Sequence, residues 1–90
     1  MISAGQMRAA RALLGIDQKM LAEMSGVSVP TIQRMEASNG NVRGVVDTLS
    51  KVIEALDRAG VELIGEQAPS LATGRGVRLK EPVIRSSGDD

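Results

Sequence analysis

Apolar residues recur with a helical period along the first sixty positions of the chain. Met7, Ala10, Leu13 and Leu14 stand three and four residues apart, with Ser3 and Gln6 spaced as a capping box in front of them and Gly15 as a stop behind. This predicts a first helix over residues 4–14. Asp17 is a good N-cap for a second helix over 18–24, whose buried face is Leu21 and Met24, and Gly26 then turns the chain. Ser28 caps a third helix over 29–37, with Pro30 in its first turn, where a missing amide proton costs nothing. Residues 37–41, Ala-Ser-Asn-Gly-Asn, read as a turn, with Asn41 as the next cap. Val42, Val45, Val46, Leu49, Val52, Ile53 and Leu56 continue an i, i+3, i+4, i+7 series, which predicts a fourth helix over 42–59 in spite of Gly44. A separate helix capped by Thr48 is the alternative. Gly60 ends the pattern.

After Gly60 the pattern changes. Residues 61–64 and 77–80 cluster or alternate β-prone side chains, and a loop rich in Gly, Pro, Ser and Thr separates them. Two short antiparallel strands are expected. An isolated hairpin is marginal in water, so it should pack on the helices or pair with the strands of a second chain. Residues 81–90 carry too little apolar content to fold and read as a tail. The expected architecture is mainly α: a four-helix domain over 1–60, a C-terminal antiparallel β-hairpin over 61–80 that could serve dimerisation, and a flexible tail over 81–90.

Within the second and third helices, Ala22, Gly26 and Ile32 stand at the fifth, ninth and fifteenth positions of a stretch that begins at Gln18. That is the spacing of a helix-turn-helix. Ala22 is small enough for the motif's second helix to cross its first, Gly26 accepts the left-handed conformation at the turn, and Ile32 points back into the core. Together with Leu21, Val27, Ser28, Thr31 and Glu36, these residues resemble the helix-turn-helix family of phage repressors and Cro, the xenobiotic-response-element type, over about residues 6–56. The resemblance implies a repressor-like domain whose third helix enters the major groove of duplex DNA.

Carried over position by position, the resemblance puts Val29, Pro30 and Arg34 where base contacts occur, with Gln33 beside them. Gln18, Ser28 and Thr31 fall at phosphate-facing positions. Asn39, Asn41 and Arg43 fall where the loop after the reading helix approaches the backbone. A guanidinium can bond guanine O6 and N7 together, which makes Arg34 the foremost candidate; its plain alternative is a solvated helix charge. Val29 can meet a thymine methyl or simply be exposed, and Pro30 can do the same or only shape the helix start. The family often carries Gln, Ser or Arg at the positions of Val29 and Pro30, so hydrogen-bonded readout is thinner here and DNA shape carries more. Arg11 and Glu36 match a partly buried ion pair that ties the first helix to the reading helix in such repressors. Arg8 and Lys19 read as solvated charges.

Composition narrows the function further. The ninety residues include no Phe, Trp or Tyr, so Leu, Ile, Val, Met and Ala must build the core and base stacking on single strands has no platform. Met7, Met20, Met24 and Met35 read as core filling rather than an adaptable surface. Cys and His are absent too, which removes disulfides, thiolate nucleophiles, imidazole bases and nearly all transition-metal sites. No enzyme, metal or cofactor is expected. Without a long apolar run or a leader, the chain is expected in the cytoplasm and away from membranes.

Charge is the feature that fits duplex binding least well. The formal net charge is zero, and residues 1–56 carry six basic groups (Arg8, Arg11, Lys19, Arg34, Arg43, Lys51) against five acidic ones. Phosphate neutralisation per monomer should therefore be modest, with helix N-termini, backbone amides and Gln or Ser side chains adding to it. Arg75, Arg78, Lys80 and Arg85 against Glu81 give a local basic excess, read as a solvated strand face or as an arm reaching the DNA backbone.

Three functions follow. The first is a sequence-specific transcription regulator, a repressor bound to double-stranded DNA as a homodimer joined through the fourth helix or the C-terminal strands. The second keeps the fold but makes the chain an antitoxin or accessory regulator whose C-terminal part holds a protein partner. The third is a protein-interaction module without DNA binding.

Overall fold

The structure is a computed structural model and describes residues 2–40, 42 and 44–81. Four helices follow one another: α1 (Ala4–Leu14), α2 (Gln18–Ser25), α3 (Val29–Glu36) and α4 (Val46–Arg58). The first three lie where the apolar spacing put them, to within a residue. α1 starts in the expected capping box: Ser3 Oγ accepts from the Gln6 amide, and the Gln6 side chain accepts from the Ser3 amide. Asp17 caps α2 through the Met20 amide, and Ser28 caps α3 through the Thr31 amide.

α2 packs against both α3 and α4, and α1 packs against α3. The core at their junction is aliphatic, with Met7, Leu21, Ile32, Val42, Val52 and Leu56 fully buried. Ala22 is buried on α2, the helix that packs against α3. At the turn, Gly26 adopts φ 73°, and the amides of Gly26 and Val27 both donate to the Ala22 carbonyl. Ser25 also takes part: its buried hydroxyl donates to the Leu21 carbonyl at 2.8 Å and accepts from the Val27 amide. Met7 and Met35 fill the core as expected, whereas Met20 is exposed.

Two expectations are corrected. The fourth helix begins at Val46, not at residue 42, and it includes Thr48 rather than being capped by it. Val42 instead lies outside any helix and is buried, its amide bonded to the Ile2 carbonyl, while the Ala4 amide donates to the Gly40 carbonyl. The chain after α3 is thus stitched to the N-terminus, and a helix through Val42 would break that pairing. Val45 and Val46 are left exposed. Asn41, expected as a cap, lies outside the described residues.

The C-terminal hairpin is absent: residues 61–80 contain no strand. Val61 and Leu63 pack against the helical core instead, and Gln6 Nε2 donates to the Ile64 carbonyl at 2.9 Å. Side chains hold the following loop in place of a ladder. Glu62 accepts from the Ser70 hydroxyl and the Leu71 amide, and Arg78 donates to the carbonyls of Gly65 and Ala68. The first would-be strand gains more from covering the core than a lone two-stranded pairing would provide. Of the expected tail, only Glu81 is described.

Beyond its two chain neighbours, no heavy atom of the described residues lies within 4 Å of the position a Gly26 Cβ would occupy, so substitution there tests backbone conformation. Gly26→Ala is expected to cost about 1–2 kcal/mol of stability, and Gly26→Asn less, because Asn tolerates the left-handed region. Urea unfolding followed by helical circular dichroism measures both, and equal losses would contradict this account.

Candidate nucleic-acid interface

The amphipathic pattern of α3 turns Ile32, Met35 and Glu36 inward and leaves Pro30, Gln33 and Arg34 together on an exposed face. Ser28 is exposed at its N-terminus. Ser28 Oγ donates to Thr31 Oγ1 at 2.9 Å, and the Arg34 guanidinium reaches the same Thr31 oxygen at 3.4 Å. Thr31, Arg34 and Ser38 then line an open cleft of about 380 Å³ whose other wall is Gly44, Val45 and Thr48 at the start of α4. Val45, which precedes α4, has no side chain that can cap its first-turn amides.

The structure brings together Ser28, Pro30, Thr31, Gln33 and Arg34, and leaves Asn39 exposed in the turn after α3. Val29 is only half-exposed and packs partly on the core. Gln18, placed by the sequence at a phosphate-facing position, donates from Nε2 to Glu36 Oε1 at 3.0 Å. One proton of that amide therefore serves the protein, and one remains for another acceptor. Asn41 and Arg43 lie outside the described residues.

Glu36 is the anchor beneath the exposed face. Its side chain is 3% exposed and takes two charge-assisted bonds from Arg11, Nε to Oε2 at 2.8 Å and Nη2 to Oε1 at 2.7 Å. This is the ion pair expected from the sequence. Arg11 also reaches the Ile16 carbonyl, which ties the connection between α1 and α2 to the same group. Burial pushes the Glu36 carboxyl upward, but the hydrogen bonds from Arg11 and Gln18 and the positive charges of Arg11 and Arg8 outweigh it, so the net direction is down. Arg11 is raised by its bonds to the same carboxylate.

Arg8 adds to the sequence reading. It is exposed, as expected, but it also donates to the main-chain carbonyl of Glu36 and so caps the C-terminal end of α3. Its place three residues before Arg11, on the same face of α1, was the available signal. Among the described residues, no cluster of carboxylates is arranged to hold a metal, and no helix is long and apolar enough to cross a membrane.

Residues 7–63 match the family model described as Helix-turn-helix. The match covers more than half of the chain, and it takes in α1 from Met7 onward, all of α2 to α4, and Val61 and Leu63 beyond them. The chain belongs to the helix-turn-helix family of phage repressors and Cro-like regulators, a family of DNA-binding regulators and not typically of enzymes. No curated protein and no solved structure matches it at a significant level.

The Arg11–Glu36 pair yields an asymmetric expectation. Arg11→Met strands a buried carboxylate and is expected to cost about 3 kcal/mol, whereas Glu36→Gln leaves an arginine that is already 20% exposed and costs less. Because the folded state lowers the Glu36 pKa, its contribution is fully present above the ordinary value of 4.5 and is lost as pH falls through the lower folded value. Thermal unfolding from neutral to acid pH should show wild type losing stability in that window, and Glu36→Gln should lack this component.

Proposed function

We propose that the chain is a transcription regulator, a repressor, that binds an operator in double-stranded DNA as a homodimer with α3 in the major groove. The observation that carries this reading is the exposed face of Pro30, Gln33 and Arg34 on a helix held at both ends: Ser28 at its start, and Arg8 with the Arg11–Glu36 pair at its finish. A rigidly mounted helix with an outward guanidinium is what base readout needs, since a bidentate Arg–guanine contact discriminates by about 1–3 kcal/mol. Gln33 is a neighbouring reader, and Val29 and Pro30 offer apolar contact to thymine methyls. The second amide proton of Gln18, the Ser28 and Thr31 hydroxyls, Asn39, Asn41 and Arg43 serve the phosphates on either side of the groove.

The zero net charge favours two copies over one. A lone domain with so small a basic excess has little electrostatic affinity, and two reading helices about 34 Å apart would engage successive half-sites. A soluble cytoplasmic regulator without cofactor fits these parts. A second reading, an antitoxin or accessory regulator that also holds a protein partner, draws support from Leu71, Val77 and Leu79, all strongly exposed in the C-terminal segment.

Binding of the full chain to duplexes covering the DNA that flanks its gene, followed across salt concentration, tests the first reading. Specific retention is expected. Arg34→Ala should remove about 1–3 kcal/mol of discrimination at a guanine position while the helical signal stays unchanged. Retention that ignores sequence, or none from about 50 to 200 mM salt, would refute it.

A further inference from the structure

Residues 67–80 hold three cations, Arg75, Arg78 and Lys80, and no carboxylate, whereas residues 1–56 carry six basic groups against five acidic ones. The stretch lies beyond the 7–63 match to the helix-turn-helix family, so the family pattern does not account for it. Residues 69–80 are exposed without exception. Among the described residues the ion pairs are Arg11–Glu36 and Lys51–Asp47, which leaves Arg75 and Lys80 unpaired. Beyond chain neighbours, no heavy atom of the described residues comes within 4 Å of where a Cβ on Gly74 or Gly76 would stand. Arg75 therefore sits in a slender piece of chain with nothing packed on it.

Hydrogen bonds fasten the root of this stretch near the turn that follows α3. Arg78 donates to the carbonyls of Ala68 and Gly65. The neighbouring Ile64 carbonyl accepts from Gln6 Nε2, Gln6 Oε1 accepts from the Ser3 amide, and the next amide, that of Ala4, donates to the Gly40 carbonyl. Bonds of that length hold the Ile64 carbonyl within about 15 Å of the Gly40 carbonyl. Gly40 follows Asn39, which the proposed function gives to a phosphate. Arg75 is three residues from the Arg78 anchor, and three residues of chain with an arginine side chain extend roughly 15 Å.

We infer that residues 74–80 are a second DNA-contacting element, an arm that lays Arg75 in the minor groove adjoining the major groove read by α3. The phosphate strand that edges one groove also edges the other, so a segment rooted near Asn39 meets the minor groove without crossing the duplex. That groove is about 6 Å wide, and Gly74 and Gly76 let the backbone approach where Cβ atoms would meet its walls. Arg75 then occupies the negative potential of a narrow A·T groove, and Lys80 meets a phosphate at its edge. The inference rests on the proposed DNA reading and adds discrimination at bases that α3 does not touch. It also supplies cations that the helical domain lacks.

The full chain is tested on duplexes that share one central segment, taken from the DNA flanking the gene, and differ in their flanks. Flanks of A·T, G·C and inosine·C pairs are compared, because inosine lacks the guanine amino group and so resembles A·T in the minor groove and G·C in the major. Wild type is expected to bind the A·T and inosine·C duplexes about tenfold more tightly than the G·C one. Arg75→Ala should abolish that difference with helical circular dichroism unchanged. Lys80→Ala should weaken binding to all three and lower the salt exponent by about one. Equal binding of wild type to all three, a preference in which inosine·C follows G·C, or a preference that survives Arg75→Ala overturns the arm. A duplex with a scrambled centre keeps the two readings apart. Centre-specific binding without an Arg75-dependent flank preference overturns the arm and leaves the operator reading standing; the reverse supports the arm and refutes the operator reading; no binding to any duplex refutes both.

Discussion

The placement of α3 depends on a single buried carboxylate. Glu36 sits at the last turn of that helix, where its own charge would be costly to bury unpaired, and Arg11 from α1 and Gln18 from α2 converge on it. Three helices are thereby fixed to one point, with Arg8 adding a bond to the carbonyl of the same residue. Apolar contacts are non-directional and would let α3 rotate or slide by fractions of a turn. A bidentate guanidinium–carboxylate contact has a preferred plane and distance, so it sets the angle at which the outer face of α3 is offered.

That constraint suits a chain with little else to fix orientation. A domain of this size without aromatic side chains has a small core of Leu, Ile, Val, Met and Ala. The buried network gives this small core specificity of arrangement, and the outward side of α3 is left free to carry Pro30, Gln33 and Arg34. The Ser28–Thr31–Arg34 hydrogen bonds extend the ordering to the surface.

The C-terminal segment follows a different physical logic. Its first part is consumed as a lid on the helices, bound through Val61, Leu63 and the Ile64 carbonyl, and Gln6 links it to the start of α1. Its second part keeps apolar side chains in water and cations at their flanks.

The sequence by itself determined the first three helices, their caps, the turn at Gly26 and the pairing of Arg11 with Glu36. These depend on neighbours a few residues away or on a motif whose spacing is stereotyped. It also placed Pro30, Thr31, Gln33 and Arg34 on one helix with Ser28 as its cap, and the structure leaves Pro30, Gln33 and Arg34 on the exposed face of that helix. Tertiary structure alone decided where α4 begins, because the Val42 amide is claimed by Ile2, a residue forty positions away. It alone decided that Gln18 bonds Glu36, that Arg8 caps α3, and that residues 61–64 become a strap instead of a strand. In each case the deciding partner is distant in the chain, and a local pattern carries no information about which distant donor or apolar surface will outcompete the local choice.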